Sequence, residues 1–149
     1  MINAVRILVI DDDADIRNSI SAILKDEGYK VDQAKNGAEA IGRSKKATYN
    51  AALIDIKLPD MEGVELLTRL KDSVPKMRKI IITGFPSLEN AIASLNKGAD
   101  AYLVKPVDPE RLTGLMQTQL SKQKAEQKMT EEKVAQFIEG RMRDSKDIG

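Results

Sequence analysis

Asp11 and Asp12, Asp55, Thr83 and Lys105 each stand at the end of a short apolar run, and these are the side chains in the sequence best placed to do chemistry. A carboxylate that ends a buried run carries a charge that must be compensated. Acids grouped at such ends form an oxygen-rich cluster suited to a hard divalent cation, Mg²⁺ or Mn²⁺, which takes one or two carboxylates and keeps several waters. Without a cation the same carboxylates repel one another and resist ionisation. Beside a metal, a carboxylate can attack a phosphoryl group, and catalysis then consists mostly of positioning and charge stabilisation. Asp55 is the nucleophile in this reading, because it closes an apolar stretch, residues 51–54, that then turns sharply through Pro59, Asp60 and Gly63. Thr83 would donate a hydrogen bond to one phosphoryl oxygen, and Lys105 would pair with another.

Taken singly, each of these residues has an ordinary structural role. Asp11-Asp12-Asp13 reads as a solvated acidic turn with Asp13 capping the next helix, and Asp55 as a strand-end residue bonded to loop amides. Thr83 reads as a β-branched strand residue, Lys105 as a solvated lysine, Pro106 as a turn former and Tyr102 as edge packing. Their joint occurrence at four strand ends is what favours a single site.

Composition removes several alternatives. Among the 149 residues there is no cysteine and no histidine. Thiol nucleophiles, Cys/His zinc sites and a histidine general base are therefore excluded, and a phosphoryl group must be supplied from another molecule. With 24 basic and 23 acidic residues, the net charge of +1 creates no field that would draw nucleic acid or an anionic membrane. No apolar segment is long enough to span a bilayer and no signal-peptide pattern opens the chain, so a cytoplasmic protein with no direct nucleic-acid or membrane partner is expected.

The elements that must position these groups alternate between strand-like runs and amphipathic segments, the pattern of βα units around a parallel sheet. Strands are expected at residues 6–10, 29–34, 51–55, 79–83 and 101–104. The helix after the first strand carries Ile16, Ile20, Ile23 and Leu24 on one face and stops at Gly28. The helix after Asn36-Gly37 is only weakly apolar, and the one after Gly63 carries Val64, Leu67 and Leu70. Ser87 is an N-cap for a helix bearing Leu88, Ala91, Ile92 and Leu95 and closed by Gly98, and Asp108-Pro109 opens a last helix with Leu112, Leu115, Met116 and Leu120. From about Ser121 the chain is polar with no core face, and apolar spacing returns at Val134, Phe137, Ile138 and Met142 with Thr130 as a fresh cap. Residues 1–120 are thus expected to form one domain and residues 121–149 a charged helical extension or linker.

Four segments resemble, in order, the response regulator receiver domain of two-component signalling: Ile7-Leu8-Val9-Ile10-Asp11-Asp12-Asp13, Leu53-Ile54-Asp55-Ile56-Lys57-Leu58-Pro59-Asp60-Met61-Glu62-Gly63, Ile81-Ile82-Thr83-Gly84 and Tyr102-Leu103-Val104-Lys105-Pro106. The resemblance covers about residues 5–120. It implies a doubly wound, flavodoxin-like α/β fold with five parallel strands in the order 2-1-3-4-5 and helices on both faces. It implies Asp55 as phosphoacceptor, Asp12 as a direct Mg²⁺ ligand, Asp11 as a ligand through water, and the Lys57 backbone carbonyl as a further ligand. Thr83 becomes the switch hydroxyl, Tyr102 the switch aromatic and Lys105 the phosphoryl-pairing lysine, with a cis Lys105-Pro106 bond. The implied partner is a sensor histidine kinase or phosphotransfer protein. Phosphorylation would change the surface of the fourth helix, fifth strand and fifth helix, and a homodimer could form there or through the tail. Gly84, where alanine is frequent, and Lys57 depart from the commonest pattern. A signalling switch rather than a metabolic enzyme is expected. The alternatives are a phosphorylation-independent scaffold and an aspartyl-phosphate-type phosphatase, whose Asp-x-Asp-x-Thr/Val motif Asp11-Asp12-Asp13-Ala14-Asp15 meets only in part.

Overall fold

Ile7 to Ile10 and Ala51 to Ile54 have no polar side chain on either face, so each run must lie between two layers. The computed structural model describes the backbone of residues 4–148 and the side chains of residues 4–141. In it these runs are central strands of a parallel sheet made by β1 (Arg6–Ile10), β2 (Lys30–Ala34), β3 (Ala51–Asp55), β4 (Arg78–Thr83) and β5 (Ala101–Val104). The order is β2-β1-β3-β4-β5, as the resemblance implies. The helices are α1 (Ala14–Asp26), α2 (Gly37–Lys46), α3 (Gly63–Arg69), α4 (Leu88–Asn96) and α5 (Pro109–Ile148). Alternate strand residues feed two apolar clusters. Leu8, Ile10, Ala52, Ile54 and Ile81 pack with Leu66 and Leu67 of α3, whereas Ile7, Val9, Leu53, Ile80 and Ile82 pack with Ile20 and Leu24 of α1 and Leu112 and Met116 of α5.

Helix boundaries follow from local chemistry. Asp13 caps α1 by accepting from the amides of Asp15 and Ile16, and Gly28, at φ +92°, takes the chain out of it. The weakly apolar α2 has its own cap in Asn36 and a second one from a distant loop, where Asp60 accepts from the Gly37 and Ala38 amides at 2.8 and 2.9 Å. Ser87 and Asn90 form a reciprocal capping box on α4, which Gly98 ends at φ +97°.

The structure gives the apolar residues of α4 a face, and it corrects the expectation of a fresh cap at Thr130. The large apolar residues of α4 turn outward, with Leu88 79% and Leu95 70% exposed and Ile92 exposed as well. The smaller Ala91 and Ala93 are half-buried and Ser94 is buried. Nor does α5 stop and restart. It runs unbroken past Thr130, whose hydroxyl donates to the Glu126 carbonyl inside the helix rather than capping a new one.

The polar stretch after Leu120 also has an inward face. Gln123 is only 4% exposed, and its Nε2 donates to the carbonyls of Asn50 and Lys76, both at 2.8 Å. One turn to either side, Gln119 and Glu126 accept from the buried Arg78 guanidinium. Val134, Phe137 and Ile138 are exposed, and the side chain of Met142 lies outside the described residues. Among the described residues no helix is long and apolar enough to cross a membrane.

Candidate phosphoryl and metal site

Strand register brings the chemical groups together. Ile10 pairs with Ile54, so the next residues, Asp11 and Asp55, leave the sheet side by side. Asp55 pairs with Ile82, and Thr83 with Val104, which places Thr83 and Lys105 one step further along the same edge. These residues share a cleft of about 770 Å³ lined by Asp12, Asp55, Lys57, Thr83 and Lys105, with Gly84 and Phe85 on its rim.

Asp11 is 1% exposed and Asp55 7%, while Asp12 is exposed at the mouth. The Lys105 ammonium lies 2.8 Å from Asp11 Oδ2 and 3.2 Å from Asp55 Oδ2. Asp55 Oδ1 accepts from the Lys57 amide at 3.3 Å. Burial, and then the charge of Asp11, push the Asp55 carboxyl above its usual range, against the Lys57 amide and Lys105, which favour the ionised form. Burial alone would lower the Lys105 pKa, but attraction to Asp11 and then Asp55 outweighs it and leaves Lys105 raised.

Asp11 and Asp55 therefore share one ammonium, that of Lys105. Asp11, Asp12 and Asp55 each offer an oxygen within 4.8 Å of the others. Asp11 Oδ2 is buried with no aligned hydrogen-bond donor, its contact with Lys105 being one of charge. An all-oxygen cluster with surplus negative charge and an unsatisfied buried lone pair fits a hard divalent cation such as Mg²⁺.

Thr83 is fully buried, and its Oγ1 accepts from the Phe85 amide at 3.1 Å, leaving its own proton free to be donated. Tyr102 is half-buried against the Ile81 side of the sheet, and its hydroxyl donates to Asn90 Oδ1. The Lys105-Pro106 bond is cis, as is Val74-Pro75. All the residues singled out in the sequence thus meet at one end of the sheet except Tyr102, which lies further back on β5, the strand that ends at Lys105, and reaches the site's loop through Asn90.

Two supporting residues, Arg17 and Asn90, escaped the sequence reading. Arg17 of α1 donates from Nη1 to the Asp11 carbonyl at 2.7 Å and from Nε to Gln33, fixing the end of β1. Its position one turn after the capping Asp13 was the available signal. Gly63 closes against the strand so tightly that a Cβ there would lie 2.3 Å from the Asp55 carbonyl oxygen. Asn90 gave no signal in the sequence, because its bond to Tyr102 joins separate elements.

A family model described as the response regulator receiver domain matches residues 7–117. The chain is 35% identical over 138 residues to the transcriptional regulatory protein ZraR of Klebsiella oxytoca, covering 89% of this chain and 30% of that protein. The chain thus spans less than a third of the ZraR relatives it matches. A CheY-like receiver domain protein from Methanospirillum hungatei JF-1 superposes with a TM-score of 0.79 at 46% identity, over 83% of this chain and 99% of that one. A response regulator from Burkholderia pseudomallei, solved with a phosphorylated aspartic acid, calcium ion and citrate, gives a TM-score of 0.71 at 31% identity, over 85% of this chain and 74% of that one.

Proposed function

The chain belongs to the response regulator receiver domain family, and on that premise we propose that it is a phosphorylation-dependent switch with Asp55 as phosphoacceptor. The phosphoryl donor is the phospho-histidine of a sensor kinase or a phosphotransfer protein. An ionised Asp55 oxygen forms the new O–P bond as the donor's N–P bond breaks, and the donor imidazole leaves with its electron pair. Lys105 pairs with a phosphoryl oxygen, and Thr83 donates its free hydroxyl proton to another. Asp12, Asp55 and the Lys57 carbonyl, with Asp11 through water, would hold Mg²⁺ or Mn²⁺, which when bound would neutralise charge on the transferred group. The observation that carries this reading is the convergence of Asp11, Asp12 and Asp55 on one another and of Lys105 on two of them, at 2.8 and 3.2 Å. The phosphorylated aspartate and calcium ion in the Burkholderia pseudomallei relative support it by analogy.

Once phosphorylated, the site demands hydrogen bonds and positive charge. Thr83 moves toward the phosphoryl oxygens, Tyr102 turns further inward, and the face of α4, β5 and α5 is remodelled. Leu88, Ile92, Leu95 and Val104 are already exposed on that face and suit contact with an output partner or a second copy. Residues 1–120 act as the receiver and residues 121–149 as the extension leading away from it. The protein works in the cytoplasm as a signalling component, catalysing only its own phosphorylation and dephosphorylation.

Intact-protein mass after incubation with acetyl phosphate and Mg²⁺ tests the reading. A gain of one phosphoryl group is expected, absent in Asp55→Asn and in a metal-free control. No gain by the folded, Mg²⁺-binding parent chain would overturn it in favour of a phosphorylation-independent scaffold.

A further inference from the structure

Asn90 makes more contacts than a capping residue needs. Its Oδ1 accepts from the Ser87 amide at 3.2 Å, which closes the capping box, and also from the Tyr102 hydroxyl. Its Nδ2 donates to the Phe85 carbonyl at 3.2 Å. Phe85 in turn donates its amide to Thr83 Oγ1 at 3.1 Å. A path of hydrogen bonds therefore runs from Thr83 at the end of β4, through Phe85 and Asn90, to Tyr102 on β5. An amide side chain is chemically matched to this place, since one end must accept from a phenol while the other donates to a carbonyl. Aspartate would keep the first contact and set a negative oxygen against the Phe85 carbonyl, and alanine would lose both.

We propose that Asn90 is the positioning residue that couples Thr83 to Tyr102, so that engagement of the Thr83 hydroxyl is read out at the Tyr102 phenol and at the first turn of α4. This deepens, and rests on, the phosphoswitch reading above. When Thr83 turns toward a phosphoryl oxygen, the Phe85 amide loses its acceptor and the loop from Gly84 to Ser87 shifts. The Phe85 carbonyl moves with it and draws on the Asn90 amide. Because the Asn90 oxygen also serves Ser87 and Tyr102, one displacement reaches the helix cap and the aromatic ring together.

The chain has three tyrosines and no tryptophan, so fluorotyrosine labelling gives a ¹⁹F spectrum in which Tyr102 is assigned by its loss in Tyr102→Phe. Spectra of the full chain are recorded with and without Mg²⁺ and beryllium fluoride, a phosphoryl analogue, and phosphoryl uptake from acetyl phosphate is followed by mass. In the parent chain the Tyr102 signal is expected to shift on addition of the analogue. In Asn90→Ala, Asp55 still takes up the phosphoryl group, the resting Tyr102 signal moves, and its response to the analogue is lost. Asn90→Asp, which keeps the phenol acceptor, retains the resting position but responds weakly. Ser87→Ala breaks the same cap without touching Tyr102 and keeps the response. A Tyr102 response in Asn90→Ala equal to that of the parent overturns the coupling, as does its loss in Ser87→Ala, which would reduce Asn90 to a cap. A parent chain that takes up no phosphoryl group defeats the coupling together with the switch it rests on. Uptake with Tyr102 signals untouched by Asn90→Ala defeats the coupling alone.

Discussion

Asp55 is held where its charge is unwelcome. Its folded pKa lies above the ordinary 3.8, so the folded chain holds a proton on it more tightly than the unfolded chain does. Stability attributable to this group is therefore fully present at pH values below 3.8 and is lost as pH rises from there through the raised folded value. Asp55→Asn is accordingly expected to melt higher than the parent at pH 7 without divalent metal. The gap should close toward acid pH and narrow when Mg²⁺ is added, since a ligand that binds only the folded parent stabilises it by mass action. Thermal melts across pH, with and without Mg²⁺, check this, and an equal melting point for the two chains at pH 7 would contradict it. Gly63 is the steric counterpart of that electrostatic tension. Gly63→Ala must push the loop off the Asp55 backbone, because the added Cβ meets the Asp55 carbonyl oxygen and Ile56 Cα, and a cost of about 1–3 kcal/mol in chemical denaturation is expected. Lys57 places a cation on the rim of the cleft, and Lys57→Ala is expected to change the lifetime of the phosphoryl group; an unchanged dephosphorylation rate would remove that role. At this scale the sequence was most legible where a functional group directly follows an apolar run, as at Asp11, Asp55 and Lys105. Arg17 and Asn90 were not legible, because their function is a bond to a backbone or side chain in another element, and no local pattern encodes that.

At the scale of the elements, α2 shows how a weak local signal is supported from elsewhere. Its apolar face is thin and its last turn carries Arg43, Lys45 and Lys46, yet it runs ten residues. Asp60 supplies part of the reason, because its carboxylate satisfies two amides of the first turn and sits where the helix dipole is positive. Those two amides, of Gly37 and then Ala38, hold the Asp60 carboxyl below its usual 3.8. The contribution is therefore present above the unfolded value and lost as pH falls through the depressed one. Asp60→Asn should speed hydrogen exchange at Gly37 and Ala38 at neutral pH while leaving β1 and β3 protected, and the difference from the parent should vanish in strong acid. Exchange unchanged at those two amides would show that Asn36 suffices. The loop that carries Asp60 follows directly from Asp55, so α2 is tied to the same turn that shapes the site. Helix existence was readable from caps such as Asp13 and Ser87, which act within a few residues. The face presented by α4 was not, because Leu88, Ile92 and Leu95 satisfy the helical period equally well whether they point toward a core or toward a partner.

The whole molecule is a sheet with one helix that outruns it, and polar anchors decide where the body ends. Apolar runs alternating with amphipathic segments made a parallel α/β sheet readable and the resemblance implied its doubly wound order, whereas the hold on α5 beyond Leu120 was hidden, since Gln119, Gln123 and Glu126 look like solvated residues in sequence. In the structure Gln123 satisfies two backbone carbonyls at the base of the sheet, and Arg78, buried at the start of β4, depends on Gln119, Glu126 and Asp100 for its hydrogen bonds and counter-charge. Leaving a buried carbonyl or guanidinium without its partner costs about 1–3 kcal/mol or more. A chain ending at residue 120 keeps the entire apolar face of α5, Leu112, Leu115, Met116 and Leu120, but loses both Gln123 and Glu126. A chain ending at residue 127 keeps them. If apolar burial set the boundary, the two truncations would have the same unfolding free energy. If the polar anchors set it, the shorter chain should be less stable by about 2 kcal/mol, and Gln123→Ala in the longer one should reproduce part of that loss. Urea unfolding of the three chains decides between these outcomes. A stability step between residues 120 and 127 would mean that the extension leaves the receiver as a rigid continuation of its last helix, so that any movement of α5 in the body is carried directly to Val134, Phe137 and Ile138.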